Sequence, residues 1–132
     1  AFLLTRSSDL LERGQIEGGF VQGQGWLTME EVVWDKSGKI KTFSPSTYKI
    51  PAINDIPTKF NVEIFKKGLN VEKVVNKAKT TGEPPLMLAM SVFFAIKDAI
   101  ASLSNYKKIP NLDAPATPEK ILTSINKLKK KI

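Results

Sequence analysis

The stretch TGEPPLMLAMSVFFAIKDAI, residues 81–100, decides how the rest of the chain is organised. Proline has a fixed φ and no backbone N–H, which suits the first turn of a helix, so we expect Glu83 and Pro84 to be extended and the helix to begin just after them. Within residues 86–96 only Ser91 interrupts the apolar side chains. The pattern therefore predicts a core helix that is buried on nearly every side.

Glu83 has two interpretations at the start of this helix. The first is an acid in the first helical turn, which the helix dipole stabilises by about 0.3–1 kcal/mol. The second is a buried base, held by the two prolines on a rigid corner against an apolar wall, where desolvation raises a carboxyl pKa and the helix N-terminus lowers it. The residues alone leave both interpretations open.

The composition indicates one segment of a globular domain, residues 1–132, with 42% hydrophobic residues. The net charge of +7 comes from 20 Lys and Arg against 13 Asp and Glu, but much of the excess is scattered or lies at the C-terminal end. We therefore expect no nucleic-acid partner. Lys97 and Asp98 end the apolar run well short of the roughly 18–20 residues of a membrane span, so we expect none.

The chain contains neither cysteine nor histidine. This excludes disulfides, thiolate metal sites held by this chain, and Ser–His or Cys–His nucleophile pairs. Catalysis must then use carboxylates, Lys, Tyr or a bound cofactor. A cytoplasmic location is the simplest expectation, because no targeting segment is evident at the start of the sequence.

Residues 14–29 predict a second helix that is unusually rich in glycine. Ile16, Phe20 and Leu27 lie on one helical face, and five glycines interrupt the same stretch. Each glycine inside a helix costs about 0.5–1 kcal/mol relative to alanine, so these positions need close approach of another backbone or of a ligand. Tight helix packing and ligand contact both remain open. A dinucleotide fingerprint does not match.

The segments between these helices predict short strands and a loop. Residues 30–43 carry two β-prone runs around Asp35-Lys36-Ser37-Gly38, which predicts a hairpin with Gly38 at positive φ. Residues 44–57 contain three prolines and predict an ordered loop. Residues 58–68 alternate apolar and polar side chains, which is typical of a half-buried strand. For residues 71–81 helical spacing competes with β-branched content, and we favour a short strand.

The C-terminal residues predict an amphipathic helix. Thr117 suits the N-cap and Pro118 the first helical position. The apolar residues that share its predicted inner face are Ile121, Leu122, Ile125 and Leu128. The fold class that we expect is thus α+β, with mixed helices and short strands.

Four motifs together resemble the C-terminal part of the molybdenum-binding subunit of xanthine dehydrogenases, in the molybdenum hydroxylase family. They are GQIEGGFVQGQGWLTMEE (14–31), PSTYKIPA (45–52), GEPPLMLAMSVFFAIKDAI (82–100) and LDAPATPEK (112–120). Their order and spacing make the resemblance more specific than any single motif. It implies that the chain is a C-terminal piece of a molybdopterin-binding domain.

The resemblance also implies roles for three residues. The glutamate of the GEPP motif, Glu83 here, is the catalytic base next to the metal, and Gly82 precedes it in the cofactor site. The glutamine of the GQ(I/V)EG motif, Gln15 here, contacts the molybdopterin through its amide. No protein side chain is expected to bind the metal. The implied substrate is a purine or another heteroaromatic ring, or an aldehyde.

The implied enzyme would be active only with further parts. These are the rest of the molybdenum-binding domain, which shares the cofactor, and FAD and iron–sulfur clusters on partner subunits or domains. Where the family reads KAVGEPP, this chain has Lys79-Thr80-Thr81-Gly82-Glu83, which makes the surroundings of the base more polar. The alternative hypothesis is a cofactor-free structural or interaction domain left from such an enzyme. Self-association, or contact with a missing domain, is a further expectation, because the other elements offer little to cover the apolar helix. We expect Leu86, Met87, Met90 or Phe93 to contribute to that contact.

Overall fold

A computed structural model describes residues 6–65, 71–73, 75 and 80–130. The helices in this part of the chain are α1 (Arg6–Thr28), α2 (Glu83–Leu88), α3 (Met90–Ser102) and α4 (Pro118–Lys129), with a short 3₁₀ helix at Ile53–Asp55. The β pairing among these residues is one isolated antiparallel bridge between Trp34 and Ile40. The predicted α+β class is therefore wrong, because the described part of the chain is helical and forms no sheet.

Helix α1 confirms the helix predicted at residues 14–29 and extends it towards the N-terminus. Arg13 and Glu17, one turn apart, form an ion pair of 2.7 Å on its exposed side. At its C-terminal end the Thr28 hydroxyl donates a hydrogen bond to the Gln24 carbonyl at 2.7 Å. The helix packs mainly against α2 and also contacts α3. It therefore supports the apolar stretch from one side.

The apolar stretch forms two helices rather than one, and the first begins earlier than predicted. Glu83 is already helical, and the Leu86 N–H donates to the Gly82 carbonyl at 3.2 Å. The prolines fit here because the first N–H groups of a helix need no intrahelical partner. Ala89 interrupts the helix in a 3₁₀-like turn, with its N–H bonded to the Leu86 carbonyl at 3.3 Å. The expectation that Glu83 and Pro84 are extended is wrong.

Much of the α2–α3 surface is exposed, so the prediction of a helix buried on nearly every side is wrong for this chain. Its buried residues are Pro85, Ala89 and Ile100. Leu88 is 66% exposed and Phe94 60%. By length and composition alone the segment Glu83–Ser102 is also long enough and apolar enough to cross a membrane. The absence of a span stays a prediction.

Helix α4 closes a small apolar core against α3. The Thr117 side chain caps it by accepting a hydrogen bond from the Lys120 N–H at 3.4 Å, as predicted. The core consists of Ile100, Leu112 and Ala116, with Phe93, Ile96, Ile121 and Ile125 packed around them. Leu122, predicted on the inner face, is 59% exposed, and Ser124 is buried in its place. The loop before α4 contains a cis peptide bond at Ala114–Pro115.

The turn of the predicted hairpin is confirmed, but its two strands do not form. Gly38 has φ of +84°, as expected, and the Asp35 N–H donates to the Lys39 carbonyl at 2.9 Å. The Asp35 carboxylate accepts hydrogen bonds from the Ser37 hydroxyl at 2.6 Å and from the Lys39 N–H at 3.0 Å. These hydrogen bonds lower the pKa of Asp35 below its ordinary value of 3.8. In place of the two predicted strands, the structure has the single bridge between Trp34 and Ile40.

The proline-rich segment 44–57 is an ordered loop held against α1, as predicted. The Gln24 side chain donates to the Asp55 carbonyl at 2.7 Å, and the Tyr48 hydroxyl donates to Glu30 at 2.6 Å. The hydrogen bond to Glu30 raises the pKa of Tyr48. Polar side chains therefore fasten this loop to the end of α1.

The strand predicted at residues 58–68 is wrong over its described part, residues 58–65. Its burial still alternates, because Phe60, Val62 and Ile64 are half-buried while Asn61 and Glu63 are exposed. The Phe60 ring lies 5.3 Å from that of Phe20 on α1. The segment thus turns its apolar side chains to one side, but in the described structure no other strand pairs with it. Of the strand predicted at residues 71–81, residues 74 and 76–79 lie outside the described residues, and the described residues 71–73, 75, 80 and 81 form no strand.

Candidate functional site

A cleft of about 500 Å³ lies between the middle of α1 and the start of α2. From α1 its walls take Gly14, Gln15, Gly18, Gly19 and Gln22, and from the opposite side Thr80, Gly82, Glu83 and Leu86. All three residues that the sequence assigned to a site, Gln15, Gly82 and Glu83, therefore line one cavity. They come from two motifs that are far apart in the sequence.

Two glycines bring the walls of this cleft together. A Cβ atom placed on Gly19 would lie 2.6 Å from the Gly82 carbonyl oxygen. A Cβ atom on Gly23 would overlap the Leu86 carbonyl oxygen and would lie 2.7 Å from the Ala89 Cβ. Real Cβ atoms do not approach so closely, so α1 and α2 can touch through their backbones only because both positions lack a side chain. For these two glycines the interpretation as tight helix packing is confirmed.

The wall formed by α1 presents amides and bare backbone. Gln15, Gly18 and Gln22 are spaced at i, i+3 and i+7, which places them on one face of the helix. The two glutamine side chains are exposed. Each primary amide carries two donors and one acceptor with two lone pairs, so this face suits a polar ligand without charge at its edge. Gln22 was not singled out from the sequence, although its spacing from Gln15 is the signal that identifies it.

Glu83 stands on the opposite wall as the first residue of α2. Its side chain is exposed, and within the described residues its carboxylate has no hydrogen-bond or ion-pair partner. The preceding residue, Gly82, adopts helical dihedral angles, φ −87° and ψ −37°. In this chain Glu83 is an acid in the first turn of α2, and Leu86 lies on the same wall of the cleft. The carboxylate is free to accept a proton or a hydrogen bond from a ligand in the cleft.

The cleft combines open space with uncharged hydrogen-bonding groups. Gly18 lies on its wall, and a Cβ atom built there would point into open space. The residues around this open strip, two glutamines and a threonine, provide hydrogen-bonding groups without positive charge. Within the described residues, no group of three acidic side chains could hold a metal ion.

A larger cavity, of about 660 Å³, lies between residues 108–111 and the end of α4. Three lysines and two apolar residues form most of its wall: Lys108, Lys127, Lys130, Ile109 and Leu128. None of the predicted site residues lies there. Lysines near the C-terminal end of a helix are also favoured by the helix dipole, which explains Lys127 and Lys130 without a ligand.

Comparison with known proteins gives a consistent result. Residues 8–57 match the model of a molybdopterin cofactor-binding domain. The chain is 49% identical over 117 residues to xanthine dehydrogenase/oxidase of Mus musculus and 48% identical over 117 residues to xanthine dehydrogenase of Dictyostelium discoideum. It is 45% identical over 122 residues to xanthine dehydrogenase of Oryza sativa subsp. japonica. The chain resembles a piece of xanthine dehydrogenase.

These matches cover most of the chain and little of the relatives. They include 84% of the chain for the Mus musculus protein and 86% for the Dictyostelium discoideum protein, but only 9% and 8% of those proteins. The chain therefore spans less than a tenth of the xanthine dehydrogenases that it matches. The residues matched by the cofactor-binding model include the whole α1 wall of the cleft, with Gln15, Gly18 and Gln22.

Proposed function

We propose that the chain is part of a molybdenum hydroxylase similar to xanthine dehydrogenase, with Glu83 as catalytic base and Gln15 and Gly82 in the cofactor site. One observation carries the proposal: the cleft joins the glutamine of the first motif to the glutamate of the third. The similarity to molybdopterin-binding and xanthine dehydrogenase sequences gives this cleft a ligand class.

In this proposal Gln15 binds the cofactor by hydrogen bonds, and Gly82 leaves space for it. The Gln15 side chain supplies an amide that can both donate and accept at the edge of the ligand. Gly82 adds no side chain to the cleft, which leaves room directly beside Glu83. When bound, molybdopterin supplies the redox chemistry of the hydroxylation.

Glu83 serves as the base that removes one proton. A carboxylate oxygen is the acceptor that a general base needs, and the exposed Glu83 side chain offers one to a ligand in the cleft. In the described chain its side chain is open to water. We expect other parts of a longer protein to cover the cleft and to exclude that water, which would strengthen the carboxylate as a base.

The proposal includes partners and a substrate class. Residues 1–132 form one segment of a molybdopterin-binding domain, completed by the rest of that domain and served by FAD and iron–sulfur clusters on other domains or subunits. The substrate is a purine or another heteroaromatic ring, or an aldehyde. The expected location is the cytoplasm, and neither nucleic acid nor a membrane is expected as a partner.

The test is to replace Glu83→Gln in the complete enzyme that contains this chain. The amide keeps the shape and removes the basicity, so kcat should fall by about 10²–10⁴ at an unchanged molybdenum content. Glu119→Gln is a matched control, because Glu119 is also an exposed acid in the first turn of a helix with proline in that turn. A Glu83→Gln enzyme with nearly normal kcat would refute the role of base.

A second variant separates cofactor binding from proton transfer. Gln15→Ala should lower the molybdopterin content of the purified enzyme more than it changes the pH dependence of turnover. Full content with unchanged activity would remove Gln15 from the site. If the wild-type enzyme itself contains neither molybdenum nor pterin, the alternative of a cofactor-free structural or interaction domain replaces the proposal. The exposed apolar surface of α2 and α3 is the observation that favours this alternative.

A further inference from the structure

The glycines of α1 that line or adjoin the cleft fall into two groups, according to what lies in front of them. Gly19 and Gly23 face the backbone of α2 or the turn before it at distances that exclude a side chain. In front of Gly14 and Gly18, a Cβ atom would meet nothing within 4 Å, and both residues line the cleft. Helix packing within the described residues accounts for the first pair only.

The second pair weakens the helix and gains no contact with the described residues in return. Glycine inside a helix is less stable than alanine, because it loses more backbone entropy on folding. The cost is clearer for Gly18, which lies in the interior of a helix of 23 residues and between the two glutamines that line the cleft. Gly14 lies before both glutamines. For the described residues taken by themselves, alanine at position 18 would be the better residue. The glycine there therefore indicates that something beyond the described residues needs the space.

We propose that Gly18 is a contact position at which the ring system of molybdopterin lies directly against the backbone of α1, between Gln15 and Gln22. This rests on the proposed function, because it takes molybdopterin as the ligand of the cleft. A methyl group at position 18 would hold a ring away from the helix, so the neighbouring amides could no longer reach its edge. Gln22 then becomes a second amide for the cofactor, beside Gln15.

The proposal predicts opposite effects of one substitution on two properties. In the complete enzyme, Gly18→Ala should lower the molybdopterin content per protein by about tenfold or more, because the added methyl group overpacks the bound state. In protein made by a host that cannot synthesise the cofactor, the same variant should keep its Tm or raise it by up to about 4 °C, because alanine favours the helix. A residue needed for the fold could not produce this combination.

Gly23→Ala is the matched control on the same helix. Its added Cβ would overlap the Leu86 carbonyl, so this variant should lower the Tm of the cofactor-free protein. A Gly18→Ala enzyme with wild-type molybdopterin content would overturn the proposal and leave the proposed function intact. A clear fall of Tm in cofactor-free Gly18→Ala would also overturn it, since protein atoms would then occupy that space. Wild-type enzyme without any pterin would overturn both proposals.

Discussion

The contact between α1 and α2 and the contact between α3 and α4 use opposite means. Helices α1 and α2 meet through missing side chains, at Gly19 and Gly23, and leave a polar cleft beside the contact. Helices α3 and α4 meet through apolar side chains around Ile100, with no site residue among them. The first contact should therefore be sensitive to added atoms and the second to removed atoms. Separating the two lets the chain carry a cleft at one end and its core at the other.

The largest expected effect concerns a side of α2 and α3 that neither contact covers. The sequence predicts that Leu86, Met87, Met90 or Phe93 contributes to an interface. Leu86 and Phe93 are half-buried, while Met87 is 52% and Met90 44% exposed. Exposed apolar patches of several hundred Å² usually mark interfaces. The purified chain of 132 residues should therefore self-associate, and Met87→Gln with Met90→Gln should shift it towards the monomer.

Sedimentation over a concentration series measures this shift. Leu122→Gln serves as the control, because Leu122 is a similarly exposed apolar residue on α4. A wild-type chain that stays monomeric and binds no hydrophobic dye would show that this surface needs no cover.

The contact of α3 with α4 should be broken most strongly by removing atoms from Ile100. This residue is 3% exposed in the core cluster, so Ile100→Ala should lower the free energy of unfolding by about 2–4 kcal/mol. Leu103→Ala, at a neighbouring residue that is 49% exposed, should change it by less than about 0.5 kcal/mol. Urea denaturation of the chain gives both values. Equal losses in the two variants would mean that the cluster is not the core.

The contact of α1 with α2 should be broken by adding a single methyl group. Gly23→Ala places a Cβ atom against the Leu86 carbonyl and Ala89, so we expect a net loss of about 1–3 kcal/mol. Gly14→Ala, with open space in front of it, should instead stabilise the same helix by about 0.5–1 kcal/mol. Circular dichroism during urea titration distinguishes the two signs. Stabilisation by both substitutions would contradict the close contact.

The smallest expected effect lies outside both contacts, in the turn at Asp35. The folded pKa of Asp35 is lowered, so its contribution to stability is present above 3.8 and is lost as the pH falls through the folded pKa. Amide exchange at Lys39, which donates to this carboxylate, should accelerate over that acidic range relative to exchange in α1. NMR titration of the carboxyl group provides the direct check. A pKa at or above 3.8 would be inconsistent with these hydrogen bonds.

Local signals predicted the helix at residues 14–29, the C-terminal helix that begins at Pro118, and the turn at Gly38, because caps, glycines and periodicity act over a few residues. The strand at residues 58–68 could not be judged in this way. Phe60, Val62 and Ile64 have the alternating burial of a strand, but pairing depends on a neighbour that no local pattern reveals. The helical start at Glu83 was missed for a related reason, since contact with Gly19 on α1 outweighs the preference of a residue before proline.

The residues of the site could be predicted from the sequence, but which side chains and glycines face the cleft could not. Glu83, Gly82 and Gln15 came from motif resemblance, and the structure places them on one cleft. The sequence could not distinguish Gly18 from Gly19, although only Gly19 touches another backbone. That distinction depends on which face of α1 meets α2. The assignment of residues 1–132 as one segment of a larger domain stays a prediction.

One hydrogen bond has consequences for the order in which this chain assembles. The Ala116 N–H donates to the Leu27 carbonyl at 2.6 Å and joins the end of α1 to the loop before α4. The two residues are about 90 positions apart, so the entropy lost on closing the intervening loop makes this contact costly to form early. We therefore expect the helices to form first and this contact late. During synthesis, α1 must wait for almost the whole segment to emerge before its end finds that partner.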